Sequence, residues 1–466
     1  MTTGDAQAEL SSEQADSLVR SRRFIVLLII VAVVGVVVSL AAWCFLEATY
    51  QVTRELYTHL PHALGYQNGP PKWWPLPVLA VGALFVALAI LRLPGNGGHI
   101  PAEGLAMGGG PAGPQVLPGV IIAGLATIGF GLVLGPEAPL IALGAGVAAL
   151  LILLARRDTP RQTLMLVAAA GSFAAVSFIF DSPLIAAVLL IEATAIGGPR
   201  MRVILVPGLL AAGIGSLVSL GMGSFTGLSS KDFALGPIPL TVAPHIKPGE
   251  FAWTIALAIA VGIVANLVKH GGLLTYHRIP RDRLVVVLPA IALVIGGLAI
   301  AFSQITGHSV NEVLFSGESQ LPGLVGQAGG WSVAALAWLL VFKGIAYSLS
   351  LGAYRGGPTF PAVFLGAAAG IMASHLPGFP FQAGIAVGIG AATVAILRLP
   401  LSSVVLATLL CSHAGTNVEP LTILGVVVAY IVTLVMSSLL ASAPATDQPA
   451  QSPEPAAAAA AAAPSA

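Results

Sequence analysis

Gly135-Pro-Glu-Ala-Pro-Leu-Ile-Ala-Leu-Gly-Ala-Gly146 can be laid without a gap on Gly357-Pro-Thr-Phe-Pro-Ala-Val-Phe-Leu-Gly-Ala-Ala368, with six identities in twelve positions. This composition predicts roughly one by chance. The echo continues downstream at a nearby offset: Gly171 to Leu184, closing on Ser-Pro-Leu, matches Gly388 to Leu401, closing on Leu-Pro-Leu. The chain therefore reads as two related halves. If the seven apolar stretches between the motifs all cross a membrane, the motifs start on opposite sides, because an odd count inverts the repeat. Such a repeat places a substrate site between the halves, near the membrane midplane.

That a membrane is involved follows from composition. Of 466 residues, 56% are apolar or aromatic and 8% are charged, against about 25% charged in a soluble domain. Mean hydropathy is +0.93, and one span needs about 20 apolar residues. The fold class expected is an all-α polytopic membrane protein. A soluble enzyme, a nucleic-acid binder and a secreted disulfide scaffold are excluded. Net charge is +1, so charges matter by position rather than by sum. Cys44 and Cys411, both in hydrophobic stretches, read as small buried hydrophobes.

Residues 1–23 form a polar segment ending in Arg20, Arg22 and Arg23, which by the positive-inside rule is cytoplasmic. Arg156, Arg157 and Arg161, and then Lys269, Arg278, Arg281 and Arg283, mark further cytoplasmic loops. Residues 24–441 make the transmembrane domain, with repeat halves at about 75–222 and 252–441; 442–466 is a Pro/Ala-rich tail expected to be disordered. Apolar stretches fall near 75–93, 115–134, 139–155, 162–180, 183–197, 202–222, 252–268, 284–302, 331–350, 361–376, 382–397, 400–412 and 420–441. The short pieces opening at Pro139, Pro183, Pro361 and Pro400 read as helices that begin inside the membrane, where their free ends must be buried in protein or line a cavity.

Proline in a first helical turn gives up an N–H that has no intrahelical partner anyway, and the free N–H groups after it add to the positive end of the helix dipole. Two such ends, from Gly135-Pro-Glu-Ala-Pro139 and Gly356-Gly-Pro-Thr-Phe-Pro361, converging at midplane would hold a small anion by backbone dipoles alone. An ion held without a full cation can leave again, as conduction requires. The loop Gly95-Asn-Gly-Gly-His-Ile-Pro101 is a third candidate, its glycines allowing close approach of backbone N–H groups. Glu137 stands in the first helix end. An ionisable residue inside a membrane is a functional candidate, and a carboxylate there can occupy the anion's own place, then swing away or protonate to admit it.

LGPEAP at 134–139, RGGPTFP at 355–361, GNGGHIP at 95–101, Lys343 and FDSPL at 180–184 together resemble the CLC family of chloride channels and chloride/proton exchangers. The resemblance runs from about residue 25 to 440. It implies an inverted-repeat fold with broken and re-entrant helices, a homodimer in the plasma membrane with one anion path per subunit, chloride as the transported ion, no other cofactor or metal, and Glu137 as the gate. The anion-binding residues implied are Asn96, Gly97 and Gly98 in the first loop, Gly135 and Ala138 beside the gate, and Gly357, Thr359 and Phe360 in the second motif.

The departures from the family pattern bear on mechanism. Pro136 and Ala138 stand where the family has a basic residue and glycine. Pro358 cannot donate, so either Thr359 and Phe360 supply the contacts or the central site is weak. Asn96 or Gly98 takes the place of the family's pore serine. The inner tyrosine falls in Ala414-Gly-Thr-Asn417, where Thr416 or Asn417 are the available donors. Ala193 occupies the position of the exchangers' proton-relay glutamate, leaving Glu192 as the candidate relay. The reading is anion transport gated by Glu137, uncoupled or weakly proton-coupled; a proton-coupled antiporter or a transporter of another small anion are the alternatives.

Overall fold

The computed structural model describes residues 20–105, 113–194, 199–226 and 235–441. Most of the polar N-terminal segment and the whole 442–466 tail lie outside them. Among the described residues are fifteen α-helices of six residues or more, besides a single turn at Leu60–Ala63: α1 Arg22–Arg54, α2 Pro75–Arg92, α3 Leu117–Ile128, α4 Glu137–Ala155, α5 Arg161–Phe180, α6 Pro183–Thr194, α7 Pro199–Thr226, α8 Pro248–Arg278, α9 Leu284–Thr306, α10 Leu321–Gly326, α11 Val333–Ala353, α12 Thr359–Ala373, α13 Phe381–Leu397, α14 Pro400–Leu410 and α15 Glu419–Ala441. Nine helical stretches among the described residues are long and apolar enough to cross a membrane. α3, α6, α12, α13 and α14 fall short, so the two repeats contain broken helices; the pieces opened by Pro183, Pro361 and Pro400 are short as expected, whereas the one at Pro139 belongs to α4, which is long enough to span. Several bounds differ from expectation; α8 runs past 268 to Arg278 and buries Lys269, expected in a loop, against the Ile396 carbonyl. α1 runs on past residue 46 to Arg54 and through a wide turn at Glu55–His59, and α3 stops at Ile128, because Gly131 (φ 97°) turns the chain before Gly135.

The repeat seen in the letters is also present in the backbone. Among the described residues, four non-glycine residues take positive φ: Asn96 (51°), Asp181 (47°), Phe315 (59°) and Arg398 (60°). Asp181 and Arg398 are matched positions, each ending its helix in the left-handed conformation, and each is followed two residues on by the proline that opens α6 or α14. A left-handed residue costs energy when it bears a Cβ, so its recurrence at matched places marks a shared backbone path.

The two halves are also packed alike. α4 lies against α5 so closely that a Cβ on Gly144 would meet the Gly171 carbonyl oxygen at 2.5 Å. The matched pair does the same in the second half: a Cβ on Gly388 would stand 2.1 Å from the carbonyl oxygen of Gly366. Glycines let backbones touch where hydrophobic burial alone supplies little driving force between helices. These contacts fix the rear of α4 and α12, and with it the position of their N-termini.

A side chain at either contact would strike backbone rather than a movable side chain. Gly388→Val is expected to destabilise by about 3 kcal/mol, the upper end for overpacking. Gly213→Ala, in α7 with open space beyond its Cα, serves as the neutral control. Thermal unfolding of the purified proteins in detergent checks both.

Candidate anion site between the two repeat motifs

Gly135 and Gly357 meet face to face. The Gly135 N–H donates to the Gly357 carbonyl at 2.8 Å and the Gly357 N–H donates back at 2.6 Å, a two-residue antiparallel bridge. Pro136 and Pro358 come next with nearly the same conformation, φ −87° and ψ −5° against φ −88° and ψ −7°, and turn the chain into α4 and α12. The reciprocal bonds therefore set the two helix N-termini side by side, each presenting N–H groups that lack intrahelical partners. Two positive dipole ends pointing into one notch favour negative charge there.

Glu137 fills that notch. It is fully buried, its Oε1 accepts a short hydrogen bond from the Thr359 N–H, and the Phe360 amide is next in line. Oε2 is buried without a hydrogen-bond partner, as is the Thr359 hydroxyl. A Cβ on Gly357 would fall 1.9 Å from the Glu137 carboxyl carbon, and one on Gly135 would fall 2.2 Å from Oε2. The carboxylate is thus wedged between two glycines that can carry no side chain. Thr359 supplies the donor that Pro358 cannot, so the second motif works one residue further on than a gap-free match expects. Ala138 follows in the first turn of α4, partly exposed.

The surroundings are aromatic and tightly bonded. The Phe360 ring meets Phe180 edge-on, with centroids 5.4 Å apart, tying the second motif to the Phe-Asp-Ser-Pro-Leu turn. Tyr347 of α11, buried, donates its hydroxyl to the Pro358 carbonyl at 2.5 Å. The sequence had offered no tyrosine for this region, because Tyr347 is remote in sequence from the positions compared. Lys343, also buried, donates to the carbonyls of Glu312 and Leu314 at 2.9 Å and of Phe315 at 3.3 Å, and lies 4.4 Å from the centre of the Phe364 ring. Its charge braces the 312–315 loop.

The remaining candidates are placed less centrally. Asn96 is exposed; its side-chain oxygen accepts from Arg281 at 2.8 Å and its carbonyl from Arg355 Nε at 3.1 Å. Gly97 packs against Ala123, Arg355 and Ile90, and Gly98 against Val120. Arg355, two residues before Gly357, thus docks the glycine loop onto the second motif. Glu192 accepts from the N–H groups of Leu401 and Ser402 and from the Ser402 hydroxyl, at 3.0, 2.7 and 2.6 Å. It caps α14. Thr416 is exposed, and the Asn417 amide donates to the Ala243 carbonyl at 3.1 Å.

Because the notch tolerates no Cβ, Gly357→Ala is expected to expel the Glu137 carboxylate from the Thr359 amide while leaving the bridge intact. A structure of the variant checks this; a carboxylate still bonded to Thr359 would show that the notch can widen.

A sequence model of the voltage-gated chloride channel family matches residues 81–434. A protein of Escherichia coli O1:K1 / APEC called "Putative ion-transport protein YfeO" is 29% identical over 370 residues, covering 78% of this chain and 82% of its own length. Among solved structures, a slow cyanobacterial Cl⁻/H⁺ antiporter superposes with a TM-score of 0.67 at 17% identity, over 90% of this chain and 98% of its own. A CLC-type fluoride/proton antiporter gives a TM-score of 0.58 at 18% identity, over 88% and 95%. At those identities the superpositions speak for the fold, while the sequence match spans three quarters of the chain. The chain belongs to the voltage-gated chloride channel family.

Proposed function

We propose that the chain carries chloride or a similar small anion across the membrane along a path past Glu137, which closes it by occupying the anion's place. The observation that carries this reading is the buried carboxylate accepting the Thr359 amide at two joined helix N-termini. An anion arriving there would find the same donors once Glu137 swings out or gains a proton. No cation is needed to hold it, so binding stays weak enough for release.

Transport on this reading is uncoupled or weakly coupled to protons. Coupling needs a second proton route from the other membrane face, and Glu192, the candidate for it, is engaged by three donors at the start of α14. The positive-inside rule puts the N-terminus and the arginine loops in the cytoplasm, and the bond of Arg281 to Asn96 supports a cytoplasmic mouth at the glycine loop. By family resemblance the working unit is a homodimer with one path per subunit.

Reversal potentials in reconstituted liposomes under opposed chloride and pH gradients test the reading. The expected value follows chloride, with at most a small displacement by pH. A full displacement would establish tight exchange instead, and chloride flux no faster than in empty liposomes would remove chloride as the substrate. Glu137→Gln is expected to cost transport most of its pH dependence; an unchanged pH profile would remove Glu137 as the gate.

A further inference from the structure

Among the described residues, twelve side-chain polar atoms are buried without a hydrogen-bond partner in the protein, and four of the twelve fall between residues 311 and 320. They are Asn311 Oδ1, Glu312 Oε2, Glu318 Oε2 and Gln320 Oε1. All four are carboxylate or amide oxygens, so what this stretch lacks is donors. Buried polar groups in folded proteins nearly always have a partner, and a concentration of exceptions calls for an explanation.

Three of these residues, Asn311, Glu312 and Gln320, line one polar cavity of about 500 Å³, which His308, Gln327 and Trp331 help to close. A cavity of that size can admit an organic molecule. No lysine or arginine lines it. The His308 ring lies flat on Trp331, with centres 3.8 Å apart, and burial pushes its pKa down, so it is uncharged at neutral pH. The wall that carries the oxygens is held from behind. Lys343 donates to the Glu312, Leu314 and Phe315 carbonyls, and the Phe315 N–H donates to the Gly131 carbonyl at 2.9 Å. Nearer the cavity, the Asn311 N–H donates to the Ser309 hydroxyl at 3.2 Å. The one ammonium in the neighbourhood is thus turned to the loop backbone and leaves the side-chain oxygens without a donor. The stretch follows α9, which with Arg281–Arg283 is long and apolar enough to span a membrane, so the cavity and those arginines lie at opposite faces.

We infer that this cavity binds a primary ammonium compound, its N–H groups donating to the Asn311, Glu312 and Gln320 oxygens. An ammonium group brings three donors and a full positive charge; the wall offers three free acceptors, one of them a carboxylate. Hydrogen bonds between charged partners are the stronger kind. A metal ion fits less well. Among the described residues no three His, Cys, Asp or Glu side chains stand together as ligands, and the cavity is far wider than a bare ion. An anion would meet acceptors only. The site therefore takes the opposite charge from the notch at Glu137, and the inference does not rest on that notch being the transport path.

The test is calorimetric titration of the full chain in phosphatidylcholine nanodiscs, at constant chloride and with empty nanodiscs subtracted. The probe is 1,4-diaminobutane. Its bis-trimethylammonium analogue has the same charge and no N–H donor, and calcium chloride is the third titrant. Diaminobutane should give a saturable heat, and the other two none. Gln320→Met removes an acceptor and Glu312→Gln removes the charge; each should weaken diaminobutane binding about tenfold, the range for a hydrogen bond to a charged group. The inference is overturned if diaminobutane gives no saturable heat, if the quaternary analogue binds as well, if calcium binds in its place, or if Gln320→Met binds like the parent. Should Glu312→Gln fail to fold, Gln320→Met decides alone.

Discussion

Two backbone hydrogen bonds between Gly135 and Gly357 hold the rest in place. They join residues far apart in the chain, in the interior of a membrane protein where every polar backbone group must find an internal partner. The bridge is antiparallel and reciprocal, so it is itself nearly two-fold symmetric, as an inverted repeat requires. From it the proline turns launch α4 and α12 in opposite senses, and the glycine contacts of α4 on α5 and α12 on α13 fix the backs of those helices. A side chain at either bridge residue would collide with the carboxylate lodged there, so glycine at both positions follows from the site and not from the turn alone.

On the proposed reading the anion site has partial charges only. The Lys343 ammonium spends its charge on three loop carbonyls and an aromatic face. Arg355 spends its own on the glycine loop and the Tyr354 carbonyl. Helix N-termini give about half a charge each, which on the proposed reading orders an anion without trapping it. On that reading the Glu137 carboxylate competes for the same donors until it is neutralised or moved.

The repeats share a backbone but divide the chemistry. Glu137 opens one helix where Thr359 opens the other, and Asp181 ends one helix where Arg398 ends the other. Symmetry of path with asymmetry of side chains makes the two faces of the membrane unequal.

Much of this was legible in the letters. Apolar runs broken by prolines located most of the helices, since in a membrane the hydrophobic length and the proline-set first turn leave little choice, though α1, α3 and α8 end well away from the expected bounds. The duplicated Gly-Pro motif announced two halves, and a glutamate between prolines in an apolar run stood out by its cost. What the letters could not supply was which groups meet. Thr359 as the donor to Glu137 and Glu192 capping a helix that starts at Pro400 are contacts across long separations in sequence. Local sequence determines where a helix begins, because capping and hydrophobicity act over one turn; partners across the fold are decided only when the packed backbones of both repeats are in place.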